Sequence, residues 1–276
     1  MTFGQRLHRT FAASGNLCVG IDPHASLLER WGLDASAGGV RDFGLRVVEA
    51  AAGRVGIVKP QVAFFEAFGS AGLASLEDVL AAARSAGLLV IGDAKRGDIG
   101  STMEGYASAW LGDGSPLRVD AVTVSPYLGI DSLSATRAMA DAHDGGLFVL
   151  AATSNPEARA IQTVRTPSGS TVAATIVETV SNWNAGEPLG STGVVVGATV
   201  DLAEFGIDPS SLVGIPVLAP GFGHQGADFA DVRRLFGAAA DGVLLSASRS
   251  ILAAGPAGIA DAIDRQAAEV AGALAS

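Results

Sequence analysis

The sequence predicts a closed (β/α)8 TIM barrel, and three observations lead there. Short, nearly unbroken apolar runs recur eight times, alanine-rich stretches with helical spacing separate most of them, and polar residues gather at the C-terminal ends of the runs. Unbroken apolar runs are what strands buried on both faces require, and their alternation with helices is the pattern of a parallel sheet. Eight such units in 276 residues suit a barrel, which typically takes about 250 residues. Residues 1–276 are expected to form one domain. An open doubly wound sheet would carry a glycine-rich dinucleotide fingerprint after its first strand, and Asp22-Pro23-His24 stands there instead.

The elements follow in order. The first expected strand, Leu17–Asp22, ends on a carboxylate. The second, Val55–Pro60, ends on Lys59 and a proline, which removes a ladder donor and turns the chain out of the sheet. The third, Leu88–Asp93, runs into Asp93-Ala94-Lys95-Arg96-Gly97-Asp98. Strand side chains alternate, so Asp93 and Lys95 share a face while Asp98 falls in the loop beyond. Ala121–Ser125, Gly146–Ala152, Gly193–Gly197, Ile215–Ala219 and Gly242–Ser246 complete the set. Amphipathic helices are expected over Val40–Ala52, Ser75–Ala86, Ser132–Ala142, Thr171–Asn184, Asp228–Ala238 and Ala257–Leu274. Two connections are long: Gly32–Gly39, read as a surface loop, and Asn155–Ser170, which holds Pro156, Pro167 and Gly169.

Composition removes several classes of function. A net charge of -10 with no basic run opposes a nucleic-acid partner, whose backbone is held by clustered Lys and Arg. No apolar run approaches the roughly 18–20 residues of a membrane span. Cys18, the single cysteine, leaves no intrachain disulfide and no Cys-rich metal site. His24, His143 and His224 are scattered with no partners at ligand spacing, so neither zinc nor any other metal is expected. Met1–Asn16 lacks the continuous apolar stretch of a secretory signal, and a cytoplasmic location is expected.

What remains points to the barrel mouth. Asp22, Lys59, Asp93, Lys95, Ser125, Ser154, Gln225 and Arg249 all fall at or just after strand ends, the face on which barrels build active sites. Charges there are costly unless paired or used. Lys59, Asp93, Lys95 and Asp98 make an alternating array; without function, the same four are an ion-pair network closing the mouth. The loop Pro220–Gly226 offers backbone N–H groups to a ligand, and Arg249 in Ser248-Arg249-Ser250 can grip phosphate bidentately. Loops after the seventh and eighth strands commonly hold phosphate. The plain alternative is a solvated Gln225 and a surface Arg249. Ser154 either bonds a ligand or starts a turn, and Ser125 has no histidine partner to make it a nucleophile.

Asp93-Ala94-Lys95-Arg96-Gly97-Asp98-Ile99-Gly100-Ser101-Thr102 resembles the signature of the orotidine 5'-phosphate decarboxylase family, in its bacterial type 2 branch. The likeness extends to Cys18–Pro23, Val58-Lys59-Pro60-Gln61, Thr153-Ser154-Asn155-Pro156, Pro220–Gly226 and Ser248-Arg249-Ser250, so it spans about Leu17 to Arg265. It implies cofactor-free decarboxylation of orotidine 5'-phosphate to UMP and CO2, the last step of UMP biosynthesis. It also implies a homodimer with sites shared across the interface. By the same resemblance Lys95 is the proton donor, held by Asp93 and Asp98 in an array with Lys59. Asp22 and Lys59 contact the ribose, Ser154 the pyrimidine, Gln225 and Arg249 the phosphate, and Asp98 and Thr102 complete the neighbouring subunit's site. Gly100 stands where many relatives have proline.

Three rivals stay open from the residues alone. A metal-dependent sugar-phosphate decarboxylase or aldol synthase on the same barrel would want a carboxylate where Lys59 stands. A Schiff-base aldolase would need Lys95 neutral, which its flanking carboxylates oppose. A non-catalytic sensor of phosphorylated ligands would use the phosphate grip alone.

Overall fold

Eight parallel strands close on themselves in sequence order, the last pairing with the first through Leu17–Leu245, Cys18–Ser246 and Val19–Ala247. They are β1 Leu17–Ile21, β2 Ile57–Pro60, β3 Leu89–Arg96, β4 Ala121–Val124, β5 Gly146–Ala152, β6 Thr192–Val196, β7 Val217–Pro220 and β8 Val243–Ala247. The computed structural model describes every residue except 224 and 225.

The twofold alternation of strand side chains divides the apolar residues into two cores. Cys18, Ile57, Leu89, Ile91, Ala121, Phe148, Leu218 and Leu244 fill the barrel interior. Val19, Val58, Val90, Val122, Val149, Val217, Val243 and Leu245 face the outer ring of helices. Every strand is thus covered on both sides, and its sequence is correspondingly an unbroken apolar run. Continuing the inward alternation toward the C-terminal ends replaces these apolar groups by Lys59, Asp93, Thr123 and Ser246.

The opposite end of the barrel is closed by the helix Phe3–Ser14, which the sequence reading did not place. Thr2 caps it reciprocally with Gln5, and Phe3 and Leu7 supply its buried face. Phe3 meets Phe148 edge-to-face at 6.1 Å between ring centroids.

All eight expected strands are present, the fifth with the expected bounds and the others with ends shifted by at most three residues. The helical ring departs from expectation in several places. Ser36 caps a helix that already starts at Ala37, so only part of Gly32–Gly39 is loop. The helix Gly100–Leu111 follows β3 and was not anticipated. Asp228–Ala238 is a short 3-10 turn, a helix over Val232–Phe236 and a second 3-10 turn. Between β6 and β7 the regular structure is the 3-10 turn Pro209–Leu212. The Asn155–Ser170 excursion contains the short helix Arg159–Gln162 and is pinned at its end by a bridge between Arg165 and Thr171.

Candidate active site

Three adjacent strands bring their charged ends to one carboxylate. Lys59 ends β2, and its Nζ donates to Asp93 Oδ2 at 2.8 Å. Lys95, two residues beyond Asp93 on β3, donates from Nζ to Oδ1 of the same carboxylate. Thr123 on β4 donates from Oγ1 to that Oδ1 at 3.0 Å. Gln61, just past β2, donates from Nε2 to the Asp93 backbone carbonyl at 3.3 Å. The side chains of Lys59 and Asp93 are 7% and 9% exposed, whereas that of Lys95 is 44% exposed. One ammonium is therefore locked in the wall and the other reaches the opening.

The electrostatics follow from this placement. Burial alone would pull Lys59 down, but the carboxylates of Asp93 and Asp22 outweigh it and hold the ammonium above the usual lysine range. Burial likewise pushes Asp93 up, and Lys59 and Lys95 overcome it, leaving the carboxyl well below the ordinary range. Both groups stay charged. Beneath them, burial pushes the Cys18 thiol up to about 12, against smaller opposing effects of Lys59 and a hydrogen bond with Ser246.

This array forms one wall of a cavity of about 240 Å³ at the C-terminal mouth, shared with Asp22, Gln61, Phe222, Ser246, Ser248 and Arg249. Asp22 Oδ1 is buried there without a hydrogen-bond partner among the described residues. An unsatisfied buried acceptor costs free energy unless a ligand hydroxyl or amide donates to it. Gly20 keeps the neighbouring wall open, because a Cβ at that position would overlap Ser248 Oγ. Arg249, exposed and without an ion-pair partner among the described residues, also lines an adjoining cavity of about 410 Å³ with His24, Arg30 and Phe64. Burial and the Arg249 charge lower the pKa of His24. Gly221 and Gly223, with φ of 115° and 76°, shape the turn after β7 in a conformation that favours glycine.

The cavity thus unites Asp22, Lys59, Asp93, Lys95 and Arg249 from the sequence reading. Ser154 lies elsewhere, in a separate cavity of about 150 Å³ with Thr199 and Asp201. Ser125 lines a lateral groove of about 540 Å³ with Tyr127 and Ile161; among its described lining residues there is no cation. Asp98 stays out of its own chain's array and accepts from the Ile99 N–H at 2.8 Å. Thr102 is exposed on the helix Gly100–Leu111. Gln225 lies outside the described residues. Sequence reasoning passed over Thr123, Gln61, Ser246 and Ser248. For Thr123 and Ser246 the available signal was a polar residue inside an apolar strand run.

Among the described residues, no group of three or more His, Cys, Asp or Glu is arranged to hold a metal ion. Among the described residues, no helix is long and apolar enough to cross a membrane.

The fold and this constellation define a class: (β/α)8-barrel proteins whose working groups are charged residues on adjacent strand ends. Comparison with known proteins narrows it. The chain belongs to the Orotidine 5'-phosphate decarboxylase / HUMPS family, whose sequence model matches residues 15–263. It is 55% identical over 276 residues to an orotidine 5'-phosphate decarboxylase of Salinispora arenicola, covering 99% of this chain and 98% of that one. The corresponding protein of Streptomyces coelicolor is 50% identical over 272 residues, 97% of this chain and 96% of its own. Among solved structures, the Leishmania donovani OMP decarboxylase superposes with a TM-score of 0.76 at 29% identity, over 100% of both chains.

Proposed function

We propose that this chain decarboxylates orotidine 5'-phosphate to UMP and CO2, the last step of UMP biosynthesis, with residues 1–276 acting as one catalytic domain. The observation that carries the assignment of roles is a buried carboxylate, Asp93, bracketed by a buried and a half-exposed lysine at the cavity wall. Family membership supplies the reaction.

The chemistry explains the need for such an array. Breaking the C6–carboxylate bond leaves the electron pair in an in-plane orbital with no adjacent carbonyl to receive it. A substrate carboxylate set against Asp93 is relieved when CO2 departs, and the positive end of Lys95 gains attraction as charge grows on C6. At about 4 Å and an effective dielectric near 20, each such charge pair is worth roughly 4 kcal/mol. Lys95 then transfers its Nζ proton to C6 and is reprotonated from solvent, which its exposure permits and the burial of Lys59 does not. Asp22, with its unpartnered Oδ1, suits a ribose hydroxyl. Arg249 suits the phosphate, with Gln225 assigned there by resemblance, and binding that remote group contributes to transition-state stabilisation.

Ser154, assigned to the pyrimidine, and Asp98 and Thr102, assigned to the neighbouring subunit's site, lie outside the cavity of the isolated chain. We infer a homodimer: Ile99, Tyr106, Tyr127 and Leu128 are 61%, 37%, 76% and 52% exposed, and they fall in the segments that follow β3 and β4. Their exposure supports a surface that a second copy would cover.

The test is loss of orotidine 5'-phosphate absorbance with no added metal, and again in EDTA. Wild-type protein is expected to turn over in both and Lys95→Ala in neither. Activity lost in EDTA would favour a metal-dependent decarboxylase or aldol synthase on the same barrel. Tight UMP binding without turnover would make the protein a sensor, and full turnover by Lys95→Ala would remove that lysine from the chemistry.

A further inference from the structure

The pairing of β3 with β4 breaks at the array. Gly92 pairs with Val122 and Arg96 with Val124, so Asp93, Ala94 and Lys95 all lie opposite the single residue Thr123. A bulge of this kind re-aims side chains and strips the bulged residues of ladder partners. Lys95 also has φ of 49°, a left-handed conformation uncommon outside glycine. Lys95 has no register partner on β4, and its N–H donates to Thr123 Oγ1 at 2.9 Å. The Thr123 hydroxyl proton goes to Asp93 Oδ1 at 3.0 Å, the oxygen that also accepts from Lys95 Nζ. A hydroxyl has one donor and two acceptor sites, and Thr123, 1% exposed, has one neighbour on each side of that capacity within the array.

We propose that Thr123 is a positioning residue for the decarboxylation. Its hydroxyl replaces the missing ladder acceptor, holds the Lys95 backbone in its left-handed turn, and fixes the Asp93 oxygen against which the Lys95 ammonium is aimed. The inference rests on the assigned role of Lys95 for its kinetic consequence, and on geometry alone for its structural one. The other groups facing this locus are Lys59 from β2 and Gln61 beyond it, and neither contacts the Lys95 N–H.

The test compares Thr123→Val, which keeps the β-branched shape and loses both hydrogen bonds, with Thr123→Ser, which keeps the hydroxyl. The valine variant is expected to lower kcat at least about tenfold, the loss of one net hydrogen bond, with UMP affinity and KM unchanged. Serine is expected to restore kcat to near wild type. A crystal structure of the valine variant is expected to show Lys95 leaving the left-handed region, whatever the substrate proves to be. If valine does not fold, Thr123→Ala against Thr123→Ser carries the same comparison. Wild-type kcat in a folded variant lacking the hydroxyl would overturn the proposal, as would equal impairment of the serine and hydroxyl-free variants or an unmoved Lys95 backbone. Absence of turnover by the wild type would instead refute the decarboxylase assignment and leave the crystallographic test to decide on Thr123.

Discussion

Replacing Asp93 by Asn tests whether the array is held together by charge. Asparagine has nearly the same shape, so packing is conserved while both lysines lose their counter-ion. Lys59 Nζ lies 2.8 Å from Asp93 Oδ2, and at that separation with an effective dielectric of about 20 the attraction is about 6 kcal/mol. Lys95 adds a second attraction that its exposure to solvent weakens. The variant is spared the desolvation of one carboxylate, so the net loss of stability at pH 7 is expected near 3–5 kcal/mol, as for a buried pair deprived of one partner. Urea unfolding followed by fluorescence of the buried Trp31 and Trp110 gives the difference between the two proteins as a function of pH. Asp93 is held below its ordinary range, so its contribution is complete above the unfolded carboxylate pKa of about 4 and is lost as pH falls toward the folded value. Lys59 is held above its ordinary range, so its contribution is complete below the unfolded lysine pKa of about 10.4 and is lost as pH rises through the folded value. The gap between wild type and Asp93→Asn is therefore expected to be flat from about pH 5 to 9 and to narrow on both sides. A gap of the same size at every pH, or one below about 1 kcal/mol at neutrality, would refute an electrostatic origin.

Further expectations concern the rest of the site. Arg249→Ala is expected to weaken UMP binding and lower kcat/KM by about a hundredfold, from the 1.5–3 kcal/mol of a charge-assisted hydrogen bond, with unchanged urea stability because the side chain is exposed; calorimetry and steady-state kinetics check it. Lys95→Ala and Asp98→Ala are each expected to be inactive alone and to regain about a quarter of wild-type activity when unfolded and refolded as an equimolar mixture, since in the proposed two-fold dimer each hybrid holds one intact shared site. No recovery in hybrids verified by mass spectrometry would contradict a shared site. Cys18, buried with its thiol pushed up to about 12, is expected to resist a thiol-specific disulfide reagent at pH 8 in the folded protein and to react fully in urea. Rapid labelling under native conditions would show that the interior beneath Lys59 opens.

The barrel was legible because its physics is repetitive. Strands covered on both faces must be apolar throughout, so Leu17–Ile21 through Val243–Ala247 stand out as runs, and the charged residues interrupting their C-terminal ends mark the mouth. Strand period set Asp93 and Lys95 on one face and the end of the second strand added Lys59, although a bulge and the left-handed turn at Lys95, rather than regular alternation, bring its ammonium to Asp93. Thr123 could not be placed: in Ala121-Val122-Thr123-Val124 a threonine reads as a strand former, and only the register break with β3 puts its hydroxyl between Asp93 and Lys95. The helix Phe3–Ser14 escaped because its apolar positions are sparse, although Thr2 and Gln5 form a visible capping pair. Ser154 follows β5 and lines a cavity with Thr199 and Asp201, so its assignment to the pyrimidine rests on resemblance.

Asp93 is gripped by donors from three successive strands, Lys59, Lys95 and Thr123. A field assembled in this way is erected once, when the barrel closes, and does not have to be reorganised at each turnover. Solvent dipoles that would otherwise realign around a forming carbanion are replaced by groups already in place. On the proposed mechanism the barrier is expected to be lowered mainly in enthalpy, with a small activation entropy, so the rate advantage over the same reaction in water should be greatest in the cold.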